Sequence, residues 1–345
     1  MSRILFLSMY PLDTLDSAPK VRSYFLHKEL DKLEEADLIE GTRLERSWKL
    51  LSWVLRGKFF QNKYIYVESS TTVGSPLELI FLLKAKFFGK KVFVFIRDAY
   101  PLFPEEFPAT TLKQRVLNFG WGISFFVYKL SSTKLVLPNK SFAGIFGLPS
   151  EKIAILPSAG EIFNDVKPKS SNILGYVGGA SDRYGANLLV EAVEKAREAV
   201  PDVRCKIVVR KSEMVSVKKN KVVELIQGNH RKLKSIFADV SIGVLPLATT
   251  DYNRITLPLK LFTYMSLGKA VVSTDLPEVV QIVEKDKVGI VCEDSPQSLA
   301  DAIIFLLTHQ KEREMYQRNS LKAIREKYSW VKRAKFLHDL LTNYA

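Results

Sequence analysis

The chain has 345 residues, 47% hydrophobic and 26% charged, an ordinary globular balance at a length beyond the ~250–300 residues where a single core stops growing. Lys and Arg outnumber Asp and Glu by 51 to 37, and the formal charge of +14 suits an anionic partner, whether nucleotide phosphate, lipid headgroup or nucleic acid, or else a basic surface that only aids solubility. Two cysteines and four scattered histidines offer neither a disulfide framework nor metal-ligand spacing, and no apolar run reaches a membrane span. The basic residues spread along both halves without a nucleic-acid-binding motif. The expectation is a reduced, cytoplasmic protein with no metal, no cofactor and no nucleic-acid partner.

In chain order, Ile4 to Ser8 reads as a buried strand running into Tyr10 and Pro11, and Val21 to Leu33 as a helix. The segment Arg46 to Phe60 sets Trp48, Trp53, Phe59 and Phe60 among Arg46, Lys49, Arg56 and Lys58. As a helix it suits an anionic membrane surface, aromatics in the headgroups and cations on phosphates; core packing is the competing explanation for its Leu and Trp residues. Strands follow at Tyr64 to Glu68, Val92 to Ile96, Lys134 to Leu137 and Ile153 to Leu156, with helices at Leu77 to Phe88 and Leu112 to Tyr128. Within the latter, Phe119 to Tyr128 is apolar enough to line an acceptor groove or to be core.

Periodicity lapses between Pro157 and Asn172, a polar linker. A second βα series has strands at Ile173 to Val177, Cys205 to Val209, Val222 to Ile226, Ser241 to Leu245, Ala270 to Ser273 and Gly289 to Val291. Its helices fall at Gly185 to Val200, His230 to Ala238, Pro258 to Leu267 and Ser298 to Thr308. The predicted class is α/β, with two Rossmann-like, doubly wound domains facing an interdomain cleft. The domains are placed at 1–160 and 173–325, with 326–345 a C-terminal helix packing back on the first domain.

Residues 171–195, SNILGYVGGASDRYGANLLVEAVEK, give strand, glycine-bearing turn and helix, where backbone can approach a phosphate and a helix N-terminus can face it. Further on, LPLKLFTYMSLGKAVVST (Leu257 to Thr274) resembles the donor-binding helix and following strand of retaining glycosyltransferases of family 4, which have the GT-B fold and a group 1-type C-terminal domain. ADVSIGVLPL (Ala238 to Leu247), ILPSAGEIF (Ile155 to Phe163), GIVCEDSPQSLADAI (Gly289 to Ile303) and REKYSWVKRAKFLHDLL (Arg325 to Leu341) extend the likeness in order over about residues 130 to 345.

The resemblance implies transfer of a sugar from a nucleotide diphosphate donor, with the leaving phosphate taking the acceptor proton and no metal bridging the diphosphate. No Asp-x-Asp pair occurs. Gly178 and Gly185 align with the family's glycines, which puts Gly179 and Tyr184 where the family holds phosphate with Arg and Lys. Arg183, Arg210 with Lys211, or Lys260 are expected to supply the missing charge. Thr263 stands where the family's E-x7-E motif ends in a ribose-binding Glu, and Leu257 opens the donor segment. Base contacts are expected from backbone at Gly228, Asn229 and His230. In the first domain Asp98 is expected to orient the acceptor hydroxyl or donor sugar and Arg97 to pair with Asp98 or a phosphate, the competing reading being a strand-end ion pair that fixes the loop; Ser17 and Arg22 are acceptor candidates. The aromatic and basic segment Arg46 to Phe60 adds the expectation of a lipid-linked or glycan acceptor, met at the inner membrane face. The competing readings are a catalytically degenerate relative acting as partner or scaffold and, behind it, a nucleotide-sugar 2-epimerase, which would need a histidine near Glu68 and Asp98.

Overall fold

The structure, a computed structural model, describes residues 4–218 and 220–343. The chain divides into two compact units. One comprises the residues up to Thr14, Ala18–Pro157 and the segment from Trp330 on; the other comprises Leu15–Ser17 and Ser158–Ser329.

The first unit alternates β1 (Ile4–Ser8), α1 (Ala18–Leu30), β2 (Ala36–Ile39), α2 (Arg43–Leu55), α3 (Lys58–Gln61), β3 (Tyr64–Glu68), α4 (Pro76–Phe87), β4 (Lys91–Phe95), α5 (Leu112–Ser131), β5 (Lys134–Leu137), α6 (Lys140–Gly144) and β6 (Ile153–Ile155). The second contains β7 (Ile173–Val177), α7 (Ala186–Ala199), β8 (Arg204–Val209), β9 (Val223–Gln227), α8 (Leu233–Ile236), β10 (Ile242–Leu245), α9 (Asp251–Arg254), α10 (Leu259–Ser266), β11 (Ala270–Thr274), α11 (Pro277–Lys285), β12 (Gly289–Cys292), α12 (Pro296–Thr308) and α13 (Gln310–Glu326). The last helix, α14 (Trp330–Thr342), belongs to the first unit. It packs on α1, with Trp330 stacked on Phe25 at 6.3 Å and His338 Nε2 3.0 Å from Glu34.

Each unit has a six-stranded parallel sheet, ordered β2-β1-β3-β4-β5-β6 and β12-β11-β10-β7-β8-β9. Strand order reverses between β1 and β3 in one and between β7 and β10 in the other. Such switch points, at the carboxyl ends of the strands, are where doubly wound sheets take ligands. Right-handed crossovers from β2 onward place α2, α4 and α5 on one face of the first sheet, and α1 with α14 on the other.

The strands are continuous apolar runs because both sheet faces are covered. In the second unit, alternate residues feed opposite cores. Leu174, Tyr176, Ile242, Val244 and Val272 pack with α7 and α12. Ile173, Val177, Leu245 and Val271 pack with α10, α11 and α13. Helix starts are written locally: Thr42 with Glu45, Ser75 with Glu78 and Thr111 with Gln114 form capping boxes that open α2, α4 and α5.

The segment 46–60 is not one helix. Gly57, in the left-handed region at φ +73°, separates α2 from α3. Nor does the segment point wholly outward. Arg46 is buried, its Nε 2.7 Å from Glu78 and its Nη1 donating to Met9 O and Gly41 O. Trp53 is buried with its indole N–H on Asp37, and Phe59 is core. The exposed apolar residues of α2 are Leu44, Trp48, Leu51 and Leu55, one stripe at helical spacing. α4 exposes Leu77, Ile80, Leu83 and Phe87, and α5 exposes Leu112, Val116, Phe119, Ile123, Phe126 and Leu130. The stretch 119–128 is thus divided: Trp121, Ser124, Val127 and Tyr128 face the core, while Phe119, Ile123 and Phe126 face out.

Candidate active site

In the second unit, β7 and β10 pair only through Leu174↔Ile242 and Gly175↔Gly243, then part. The Tyr264 hydroxyl fills the opening, accepting from Val177 N–H at 3.0 Å and donating to Val244 O at 3.1 Å. Gly243 makes room for it, since a Cβ there would lie 2.4 Å from the Tyr264 ring. Tyr264→Phe leaves both backbone groups without this partner, and unfolding in denaturant is expected to show a loss of ~1–3 kcal/mol.

Beyond β7 the turn Gly178 to Gly185 closes against the end of β10. Gly185 has φ +71°, and a Cβ on it would sit 1.5 Å from Pro246 O, so no side chain fits without moving backbone. Gly185→Ala is expected to cost at least ~2 kcal/mol, read as a lowered thermal midpoint. Tyr176 donates its hydroxyl to Gly179 O at 2.6 Å, and Gly179 lies against the Tyr184 ring. Neither α7 nor α10 has a side-chain cap at its start. Their positive ends therefore suit an anion.

Two cations meet there. Lys260, at the start of α10, holds Nζ 3.4 Å from the Tyr176 hydroxyl, 4.5 Å from that ring's centre and 5.4 Å from the centre of Tyr184. Arg183 lies 4.5 Å over the Tyr184 ring and donates to its hydroxyl. Among the described residues no carboxylate pairs with Lys260. Burial, and then the like charge of Arg183, push its pKa down to about 7. A cation held at such cost beside glycine backbone favours a ligand that brings negative charge.

The remaining second-unit candidates divide. Thr263 is buried on α10 and its hydroxyl donates back to Leu259 O at 3.3 Å, leaving only lone pairs for a ligand. Leu257 packs against the core ahead of α10. Arg210 is held by Glu213 through two bonds of 2.9 Å, and this charge pair, though partly opposed by burial, raises the Arg210 pKa. Lys211 is exposed in the 3-10 turn that follows. Gly228, Asn229 and His230 follow β9. His230 Nε2 lies 2.9 Å from Glu161, the His230 backbone N–H donates to Leu15 O, and Asn229 Oδ1 is buried without a hydrogen-bond partner. Ser17 clusters with this unit, carried by Leu15.

In the first unit the switch point carries a connected polar network. Glu68, fully buried at the end of β3, accepts from Arg22 Nε at 2.9 Å, the Tyr66 hydroxyl at 2.8 Å and Arg97 Nη2 at 3.3 Å. Arg22 stacks 3.7 Å over Phe95, with Nη1 and Nη2 buried and unpartnered. Arg97 donates to the Tyr10 hydroxyl at 2.9 Å, which contacts Thr71 at 2.8 Å, and Thr71 donates to Asp98 Oδ2 at 2.8 Å. Burial disfavours charge on Arg97, yet Tyr10, Asp98 and Glu68 outweigh it and raise its pKa. Asp98 is thus oriented through Thr71, while Arg97 is directed to Glu68 and Tyr10. Sequence reasoning missed Tyr10, Thr71, Tyr176 and Tyr264 and gave Tyr184 only as a position lacking the family's cation; Tyr10, Tyr176 and Tyr184, at strand ends and a turn, were the available signal.

The strand order, with a glycine turn and paired cations at its switch point, makes the second unit a doubly wound, Rossmann-order domain whose switch point suits a negatively charged group. Residues 171–309, within this unit, match the family described as glycosyl transferases group 1, about two fifths of the chain. Whole-chain likenesses give the GT-B fold. WaaG, a glycosyltransferase involved in lipopolysaccharide biosynthesis, superposes with TM-score 0.68 at 14% identity over 98% of this chain and 99% of its own. Sucrose-phosphate synthase of Thermosynechococcus elongatus gives 0.71 at 12% identity over 100% and 99%. HepE of Anabaena, solved with UDP and glucose, gives 0.69 at 15% identity over 99% and 100%. At these identities the likeness establishes fold alone. No curated protein matches the sequence closely.

Proposed function

We propose that the chain transfers a sugar from a nucleoside diphosphate sugar with retention of anomeric configuration, no metal bridging the diphosphate. The observation that carries this is the pair Lys260 and Arg183 over Tyr176 and Tyr184, at the glycine turn of the second unit's switch point. Two cations and two uncapped helix starts supply the charge that a leaving diphosphate needs. The leaving phosphate oxygen takes the acceptor proton as the new bond forms on the face the leaving group vacates, so no dedicated base is required. In the first unit, Asp98, held by Thr71, is assigned to orient a hydroxyl. Thr263 would give the ribose one hydrogen bond in place of a carboxylate. HepE was also solved with UDP-glucose, which makes a uridine donor the first to test. The acceptor is assigned as a lipid-linked or glycan hydroxyl at the cytoplasmic face of the membrane; among the described residues no helix is long and apolar enough to cross one.

Incubating the protein with a panel of nucleotide sugars and simple glycoside acceptors in the presence of a chelator, and reading the product anomer by NMR, tests the proposal. Retained configuration without added metal is expected; inversion, or dependence on a divalent ion, contradicts it. Thr263, which brings no carboxylate, favours one second reading, a partner subunit that binds donor without turnover. That reading predicts nucleotide binding with no product from any donor.

A further inference from the structure

The geometry points to a second binding surface, on the outer face of α2, α4 and α5, that docks on an anionic lipid bilayer. This inference does not depend on donor chemistry in the second unit. The three helices cover one face of the first sheet, α4 packing against both α2 and α5, and each turns an apolar stripe outward. Trp48, Phe87, Phe119 and Phe126 are each 65% or more exposed, and with Phe60 and Phe88 beside α4 they make an apolar surface of a kind that marks interaction sites.

Charge selects the occupant. Arg56, Lys84, Lys86, Lys113, Arg115 and Lys129 surround the stripes and none has an ion-pair partner among the described residues. Along α2, α4 and α5 the only carboxylates are Glu45 and Glu78. Glu45 is engaged with the start of α2, and Glu78 is buried against Arg46. A second copy meeting this face would bring the same cations together with no carboxylate to meet them. An anionic bilayer instead takes the aromatics among its headgroups and the Lys and Arg heads on its phosphates.

Of the four tryptophans only Trp48 is exposed, so its fluorescence reports on this face. The full chain is mixed with vesicles of phosphatidylcholine alone or with an equal part of phosphatidylglycerol, then sedimented. Binding to the anionic vesicles alone is expected, weakening with salt, with Trp48 emission moving to the blue and quenched by brominated acyl chains. Phe119→Ser with Phe126→Ser should abolish the shift without changing the thermal midpoint, since both side chains are exposed. Lys84→Gln and Lys86→Gln should each lower partitioning about fivefold. Protein left in the supernatant at low salt with anionic vesicles overturns the proposal. So does a dimer in sedimentation velocity that Phe119→Ser dissolves. Nucleotide binding, measured without vesicles, reports separately on the donor site.

Discussion

Lys260→Met is expected to weaken binding of a nucleotide sugar about 100-fold at pH 6.5, the loss of a charge-assisted bond in a partly desolvated site. Because its pKa lies at about 7, lowered by burial and by Arg183, the pH dependence has a definite sign. Below pH 7 the free protein holds Lys260 charged, the form a diphosphate prefers, and affinity is greatest there. As pH rises above 7 the proton must be taken up on binding, and affinity falls about tenfold per unit until the raised pKa of the complex is reached. Lys260→Met should remove this dependence, which a merely steric defect would not do. The same variant should be more stable than the wild type at pH 7 and below, by ~1–2 kcal/mol after allowing for partial exposure. Folding depresses this pKa, so the unfolded chain binds more protons between about 7 and the ordinary lysine value of 10.5. Wild-type stability therefore gains with pH across that window and the difference closes. Calorimetric titration with UDP-glucose and thermal melts from pH 6 to 9 check both halves.

Glu68→Ala should produce the largest stability loss, ~3–5 kcal/mol, because it leaves Arg22 charged and buried with no carboxylate and takes a partner from Arg97 and Tyr66. Glu68→Gln keeps an acceptor for the arginine donors and should lose less. Urea unfolding of both variants decides it. A loss within about 1 kcal/mol for Glu68→Ala would mean that water or a rearranged Arg22 satisfies the pocket.

The strands were legible because parallel strands covered on both sides are runs of Val, Ile and aromatics, and Ile4 to Ser8 or Tyr64 to Glu68 need no context to be read. β2 escaped because Ala36–Ile39 is four residues long, sits at the sheet edge and exposes Leu38. The inward turn of Arg46 depends on Glu78, 32 residues away, which spacing does not encode. The resemblance singled out the segment that forms α10, but left Lys260 as one of four interchangeable cations. Geometry separates them, since Glu213, three residues beyond Arg210, takes that guanidinium, whereas Lys260 and Arg183 share two tyrosine rings. The place of Tyr264 between parting strands is invisible in sequence, where it reads as one aromatic in the run LFTYMS. The membership of Leu15–Ser17 in the second unit is likewise a tertiary fact, carried by a backbone bond from His230.

The central claim, a donor diphosphate site at the switch point of the second unit, is tested most directly by calorimetry of the wild-type chain with uridine, guanosine, adenosine and thymidine diphosphate sugars at pH 6.5 and pH 8.5. Binding of at least one that is tighter at pH 6.5, and that Lys260→Met weakens about 100-fold there, is the predicted result. Silence across the set at pH 6.5, or binding indifferent to both pH and Lys260, would contradict it.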